Sequence, residues 1–265
     1  MSIEEIVSVD GTIGPTAEAV VPLKDDGLYR GDGVFEVARL YGGRPFALEQ
    51  HLDRLERSAS QIELPVDRAA VEAEVVALLR AHGDADAQLR IVLTRGGRRI
   101  AAIEPLPGLA PSVSLATVTY MPSVILTGAK TLSYGANMEA TRLAAAQGAD
   151  EAVLVQPDGI VLEPPTSTIF WASASGALRT PALDTGILDS ITRGKLIEAL
   201  GDVEEGHFQL DDLLGASEAF LASSVREVQP VSAINGTELD RHGSQTQRAR
   251  AAFDGLISDW LAAEG

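Results

Sequence analysis

Between Gly33 and Ile62 the apolar residues change their spacing, and that change constrains the fold more than any other feature of the chain. Val34-Phe35-Glu36-Val37-Ala38-Arg39-Leu40-Tyr41 alternates in part and ends at Gly42-Gly43, the pattern of a strand running into a hairpin turn. From Ala47 the period shifts: Leu48, Leu52, Leu55, Ala59 and Ile62 recur at steps of three and four, an amphipathic helix that stops before Pro65. A half-apolar strand joined at once to a half-apolar helix predicts an α+β architecture.

The rest of the chain repeats both patterns. Ile6-Val7-Ser8-Val9 reads as a strand ending at the turn Asp10-Gly11, and Val66-Asp67 opens a helix through His82. Strands follow at Leu89–Thr94 and Val113–Val118, separated by the loop Arg95–Arg99 and a proline-rich run to Pro111. Pro122 and Gly128 flank a linker, which predicts a small N-terminal domain over 1–120, a linker over 121–128 and a larger domain over 129–265. In that larger domain the pattern predicts a helix near Ala136–Gln147 and strands at Glu151–Gln156, Gly159–Glu163, Thr168–Trp171 and Ala177–Thr180. A turn and helix over 186–202, a strand at Glu218–Ser223 and a closing helix at Ser244–Ala263 complete it.

Composition removes several function classes. The 265 residues carry a net charge of -17, which disfavours nucleic acid and anionic membranes as partners. No apolar run approaches the roughly 18 residues of a membrane span, and Met1-Ser2-Ile3-Glu4-Glu5 lacks the basic-then-apolar layout of a signal peptide, so a cytoplasmic location is expected. There is no cysteine, and His51, His82, His207 and His242 show no paired metal spacing, so no metal site is expected and the histidines read as structural. Asp25, Asp26 and Asp32 do not fit an EF-hand loop.

Three lysines, Lys24, Lys130 and Lys195, stand among 21 basic residues. A Schiff base with a carbonyl cofactor needs a primary amine, which arginine cannot supply. Lys130 lies at a turn-like glycine, read as following a strand and preceding a helix. Ser190-Ile191-Thr192-Arg193 opens a helix whose first-turn N–H groups and dipole suit a phosphate, although an ordinary capped helix has the same pattern. Ser223-Ser224 offers further donors. Arg54 falls on the polar side of its helix, where a solvated arginine is the simpler reading. Glu163, at a strand end stiffened by Pro164 and Pro165, is placed to accept from a ring N–H or to be a plain surface carboxylate.

Five ordered blocks resemble the class IV aminotransferase family, the fold-type IV enzymes that use pyridoxal 5'-phosphate (PLP). They are Gly31-Asp32-Gly33-Val34-Phe35-Glu36 with His51-Leu52-Asp53-Arg54-Leu55, then Lys130-Thr131-Leu132-Ser133-Tyr134, then Leu162-Glu163 leading to Ser167-Thr168-Ile169-Phe170. Gly186-Ile187-Leu188 with Ile191-Thr192-Arg193, and Ser223–Val231, complete the set. The resemblance implies a small and a large domain with the cofactor between them, and a homodimer with shared active sites. It implies that Lys130 is the catalytic amine and that Glu163 pairs with the pyridine nitrogen. Arg54, Ile191, Thr192 and Ser224 would hold the phosphate, Leu188 would pack on the ring, and Tyr134 would bond the phenolic oxygen. Ser133 stands where asparagine is common.

Within the family, Gly31–Val37 and Tyr41-Gly42-Gly43 look most like D-amino-acid transaminases. The substrates implied are an amino acid, D-amino acids favoured, and a 2-oxo acid. The alternatives are aminodeoxychorismate lyase, a branched-chain L-amino-acid aminotransferase and an (R)-amine transaminase. Phe35 replaces the tyrosine of the usual carboxylate trap, and the loop at Arg98-Arg99 lacks its histidine. Arg30 and Arg90 are expected to form another trap beside Phe35 and Val37, with Arg95, Arg99 or Arg226 assisting; a surface salt bridge is the competing reading of each arginine.

Overall fold

The strand and helix read from the period change fold as β3 and α2, and each has its apolar side buried. In the computed structural model, which describes residues 5–263, so that Met1–Glu4 lie outside the described residues, the early strands are β1 (Ile6–Val9) and β2 (Thr12–Pro15). The short helix α1 (Asp26–Arg30) leads to β3 (Gly33–Tyr41), β4 (Arg44–Pro45), α2 (Leu48–Gln61) and α3 (Arg68–His82). Then come β5 (Ala87–Thr94) and β6 (Arg99–Glu104). These strands make one antiparallel sheet in the order β2-β1-β6-β5-β3-β4. Val34, Leu40, Leu89, Ile91, Leu93 and Ile103 point from it into a core shared with Leu52, Leu55 and Ala59 of α2 and Val71, Val75 and Leu78 of α3.

The chain divides into two compact units: residues up to Gly108 with Ala129–Tyr134, and Leu109–Gly128 with Gly135 onward. The segment that carries Lys130 thus belongs with the first unit, whereas a linker at 121–128 assigns it to the second. The physical reason is backbone pairing. Thr131 bridges Val34, Phe35 N–H donates to the Lys130 carbonyl at 3.0 Å, and Leu132 N–H donates to the Gly33 carbonyl at 2.9 Å. Two glycines make room for this: a Cβ on Gly33 would meet the Leu93 carbonyl at 2.3 Å and Leu132 Cδ1 at 2.7 Å, and Gly31 caps α1 in the left-handed region at φ 68°.

The second unit holds β7 (Val113–Thr119), α4 (Gly135–Ala146), β8 (Glu151–Val155), β9 (Thr168–Ala172) and β10 (Leu178–Pro181). It continues with α5 (Ile191–Leu200), β11 (Glu204–Gly206), α6 (Leu210–Leu214), β12 (Glu218–Ser223), β13 (Glu227–Ile234), β14 (Thr237–Glu238) and α7 (Ser244–Ala263). The mixed sheet runs β11-β10-β9-β12-β13-β7-β8, with β14 on β13. Trp171, Leu221, Val231 and Ile169 fill one core cluster; Ala140 and Ala144 of α4 pack on Ala152, Leu154 and Leu162 in another.

Three expectations need correction. Arg99–Glu104 is a strand inside the first sheet and not loop, because Ile100–Ile103 is apolar enough to pair with both β5 and β1. Gly159–Glu163 is no strand; only Ile160 and Val161 make isolated bridges. Lys130 does not follow a strand directly: β7 ends at Thr119, and irregular chain separates the two.

Candidate active site

Lys130 is held by its backbone from two sides. Besides the bonds to β3, its N–H donates to Ser58 Oγ at 3.0 Å, and Ser58 is buried on α2. The side chain is directed over aromatic rings, with Nζ 4.4 Å from the Phe35 ring centre and 5.9 Å from that of Tyr134. Those two rings meet edge to face at 5.3 Å. The structure therefore brings Lys130, Phe35 and Tyr134 together.

Strand alternation divides the neighbours of Phe35 between two faces. Glu36, like Val34, points to the helices and meets α2 residues spaced one turn apart. Glu36 is fully buried and pairs side-on with Arg54: Arg54 Nε donates to Glu36 Oε1 at 2.6 Å and Nη2 to Oε2 at 2.7 Å. His51 Nδ1 lies 2.8 Å from Glu36 Oε2 and is equally buried. Burial alone would raise the Glu36 pKa, but the bonds and charge of Arg54, helped by His51, outweigh it and hold the carboxyl at about 2. Burial pushes His51 below its ordinary value against the pull of Glu36, so the ring stays neutral. Arg54, read as lying on the polar side of its helix, is buried at 5% exposure.

On the other face Val37 lies directly across from Arg90. Arg90 Nε and Nη2 donate to Glu104, which also accepts from Gln88. Arg99 points to the helix side and pairs with Glu74, and Arg95 is bound to Asp32 and to the carbonyls of Ile62 and Glu63. Arg30, at the end of α1, is 74% exposed with Asp26 3.7 Å away.

In the second unit, Leu188 N–H donates to Glu163 Oε1 at 2.8 Å, which orients the carboxylate. Ser190 caps α5, its Oγ accepting from Arg193 N–H, and the Ile191 and Thr192 N–H groups of the first turn have no carbonyl within the helix. Arg193 turns back to the Pro181 carbonyl and Glu205. Ser224 lies in the turn between β12 and β13. Arg226 is engaged with Glu151 and with Gln229.

Taken unit by unit, the residues have chemistry that suits a phosphorylated aldehyde cofactor: the first unit offers an amine seated on aromatic rings and a buried guanidinium, and the second a carboxylate pinned by an amide and a capped helix with first-turn N–H donors. The polar stripe His51, Arg54 and Ser58, the first two bonded to Glu36 and the third to the Lys130 N–H, was missed as a unit. Its signal was in the sequence: a glutamate at an inward position of β3, and three polar residues at helical spacing next to Leu52 and Leu55.

Among the described residues no helix is long and apolar enough to cross a membrane, and no cluster of His, Asp and Glu suits a metal ion. The family model "Amino-transferase class IV" matches residues 33–234. A putative branched-chain-amino-acid aminotransferase of Methanocaldococcus jannaschii is 31% identical, over 96% of this chain and 97% of its own. A bifunctional aminodeoxychorismate lyase / D-amino acid transaminase of Mycobacterium tuberculosis is 32% identical, over 96% of this chain and 99% of its own. The PLP-bound form of a hypothetical aminotransferase from M. tuberculosis superposes with a TM-score of 0.87 at 29% identity, covering 96% of this chain and 99% of that one. With its described blocks in the matched region and its α+β architecture, this chain belongs to the class IV aminotransferase family, the fold-type IV enzymes.

Proposed function

We propose that this protein is a PLP-dependent transaminase acting between an amino acid, D-amino acids favoured, and a 2-oxo acid, and that it works as a homodimer. The observation that carries the chemistry is the Lys130 amine over Phe35 and Tyr134, pinned by Ser58 and β3. PLP supplies an electron sink for the bonding pair released at the substrate Cα. With the cofactor bound, Lys130 would be the base that takes the proton from the substrate Cα and holds it for return, its position set by Ser58 and β3. Glu163, fixed by the Leu188 amide, keeps a proton on the pyridine nitrogen. Arg54, the Ile191 and Thr192 amides and Ser224 take the phosphate, Leu188 covers the ring, and Tyr134 donates to the phenolic oxygen.

For the substrate, Phe35 and Val37 line the pocket and Arg90, with Arg30, takes the carboxylate. Arg99 and Arg226 are paired with Glu74 and Glu151, as Arg90 is with Glu104, but Arg99 lies on the helix side of the sheet whereas Arg90 shares the face of Val37. The preference for D-amino acids rests on the Gly31–Val37 and Tyr41–Gly43 blocks and on the 32% identity to a protein named for D-amino acid transamination. That relative is named for the lyase as well, so release of p-aminobenzoate and pyruvate from aminodeoxychorismate is the second reading.

The test mixes purified enzyme separately with D-alanine, D-glutamate, L-leucine and (R)-1-phenylethylamine and follows loss of the lysine-bound cofactor's absorbance. Faster loss with the D-amino acids is expected; L-leucine alone would make this a branched-chain enzyme. Formation of p-aminobenzoate without any half-reaction would assign the lyase. In Lys130→Ala the lysine-dependent band should be absent, and an unchanged band ends the reading.

A further inference from the structure

A buried arginine meant for a ligand is a poor donor unless something holds it in one rotamer, and in this chain Glu36 does so. Its carboxylate takes the Nε and Nη2 edge of Arg54 through two bonds of 2.6 and 2.7 Å, and His51 occupies the same carboxylate from the other side. The three side chains are almost wholly buried, at 0, 5 and 1% exposure, and stand on β3 and α2 beside Ser58, whose hydroxyl receives the Lys130 N–H. A side-on pair of this kind fixes the plane and direction of the whole guanidinium through one edge, Nε and Nη2. It also lets Arg54 stay charged in the core, where an unpaired guanidinium would not be tolerated.

We propose that Glu36 is a positioning residue for the cofactor's phosphate, acting through Arg54, with His51 as the brace that fixes the carboxylate. This rests on the reading that Arg54 serves the phosphate of PLP. Glu36 touches neither the substrate nor the cofactor; its work is to remove the rotamer freedom that Arg54 would otherwise lose on binding. The same β3 segment that turns Phe35 toward Lys130 turns Glu36 toward α2, so one strand sets both the floor under the amine and the anchor of the phosphate donor.

The experiment titrates cofactor-free enzyme with PLP and, separately, with pyridoxal, which has the aldehyde and ring but no phosphate. The readout is the dissociation constant of each from the lysine-dependent absorbance. Glu36→Gln should weaken PLP by about 10- to 100-fold, the range of a lost supporting hydrogen-bond partner, and leave pyridoxal within about threefold, with Arg54→Gln adding little to it. An equal loss for both ligands would mean a merely structural role, and unchanged PLP affinity would also overturn the proposal. Arg54→Gln alone separates the two layers: if PLP affinity survives it, the phosphate role of Arg54 is wrong, whereas loss there with none in Glu36→Gln removes only Glu36. Should Glu36→Gln fail to fold, the ratio is read on Glu36→Asp. That variant keeps the charge on a shorter arm, and a wild-type ratio in it overturns the proposal.

Discussion

At the scale of single residues, the densest chemistry lies in Glu36, His51 and Arg54, bonded to one another, with Ser58 on the same helix holding the Lys130 N–H. A buried ion pair is weak evidence of stability while intact, yet breaking it leaves a charge without a partner. Glu36→Gln should therefore cost about 3–5 kcal/mol at neutral pH, read from urea unfolding. The pH dependence follows from the sign of the shift. The Glu36 pKa in the folded chain is held at about 2, below its ordinary 4.5, so its contribution is complete above about 4.5 and fades as pH falls toward about 2. His51 acts in the same direction: with its pKa depressed in the folded chain, the unfolded chain gains protons first as pH drops below about 6.5. The gap between wild type and Glu36→Gln should narrow from pH 5 to pH 3, and a constant gap would show that the carboxylate is not ionised in the fold.

At the scale of elements, α2 and α3 present their apolar stripes to the first sheet, and their polar sides are tied by one residue. Arg68, first in α3, donates to Glu49, Asp53 and Glu56 of α2 and to Glu72 of α3. Each pair is partly exposed and contributes little singly, but the one guanidinium offsets part of the repulsion among four carboxylates. Arg68→Ala should lower stability by about 1 kcal/mol, and the loss should shrink at high salt as screening relieves the remaining repulsion. Unfolding midpoints at low and high ionic strength check this; equal losses at both would deny the network its electrostatic origin. Among the elements, β12 and α7 match the ranges read from sequence, Glu218–Ser223 and Ser244–Ala263: one is built on the apolar run Ala219–Ala222, and the other buries Thr246, Ala249, Phe253 and Ile257 at steps of three and four. β6 and β13 do not. One is a short apolar run between charged residues, and the other contains a proline, so local pattern argues against both.

At the scale of the molecule, each unit has its own sheet and its own core. Cofactor that binds only the folded chain should then raise its stability by mass action: about 2.7 kcal/mol at a hundredfold excess over the dissociation constant. Melting of the cofactor-free enzyme with and without PLP measures that gain, which should fall sharply in Lys130→Ala. A gain of the same size in the variant would mean that the stabilisation does not pass through the amine.

What the sequence alone determined is whatever depends on neighbours along the chain: the alternation of β3, the three-and-four spacing of α2, the capped start of α5, and the scarcity of lysine that singled out Lys130. The five ordered blocks placed the chain in its family on the same local terms. Tertiary structure alone decided which backbone Lys130 pairs with, since Val34 and Thr131 are far apart in sequence and neither carries a signal for the other. It also decided that Arg54 faces inward: a helical arginine reads as solvated until a carboxylate on a separate strand, Glu36, compensates its burial. Charge pairing across elements has no period, and so the arginines were the residues whose surroundings only the fold could reveal.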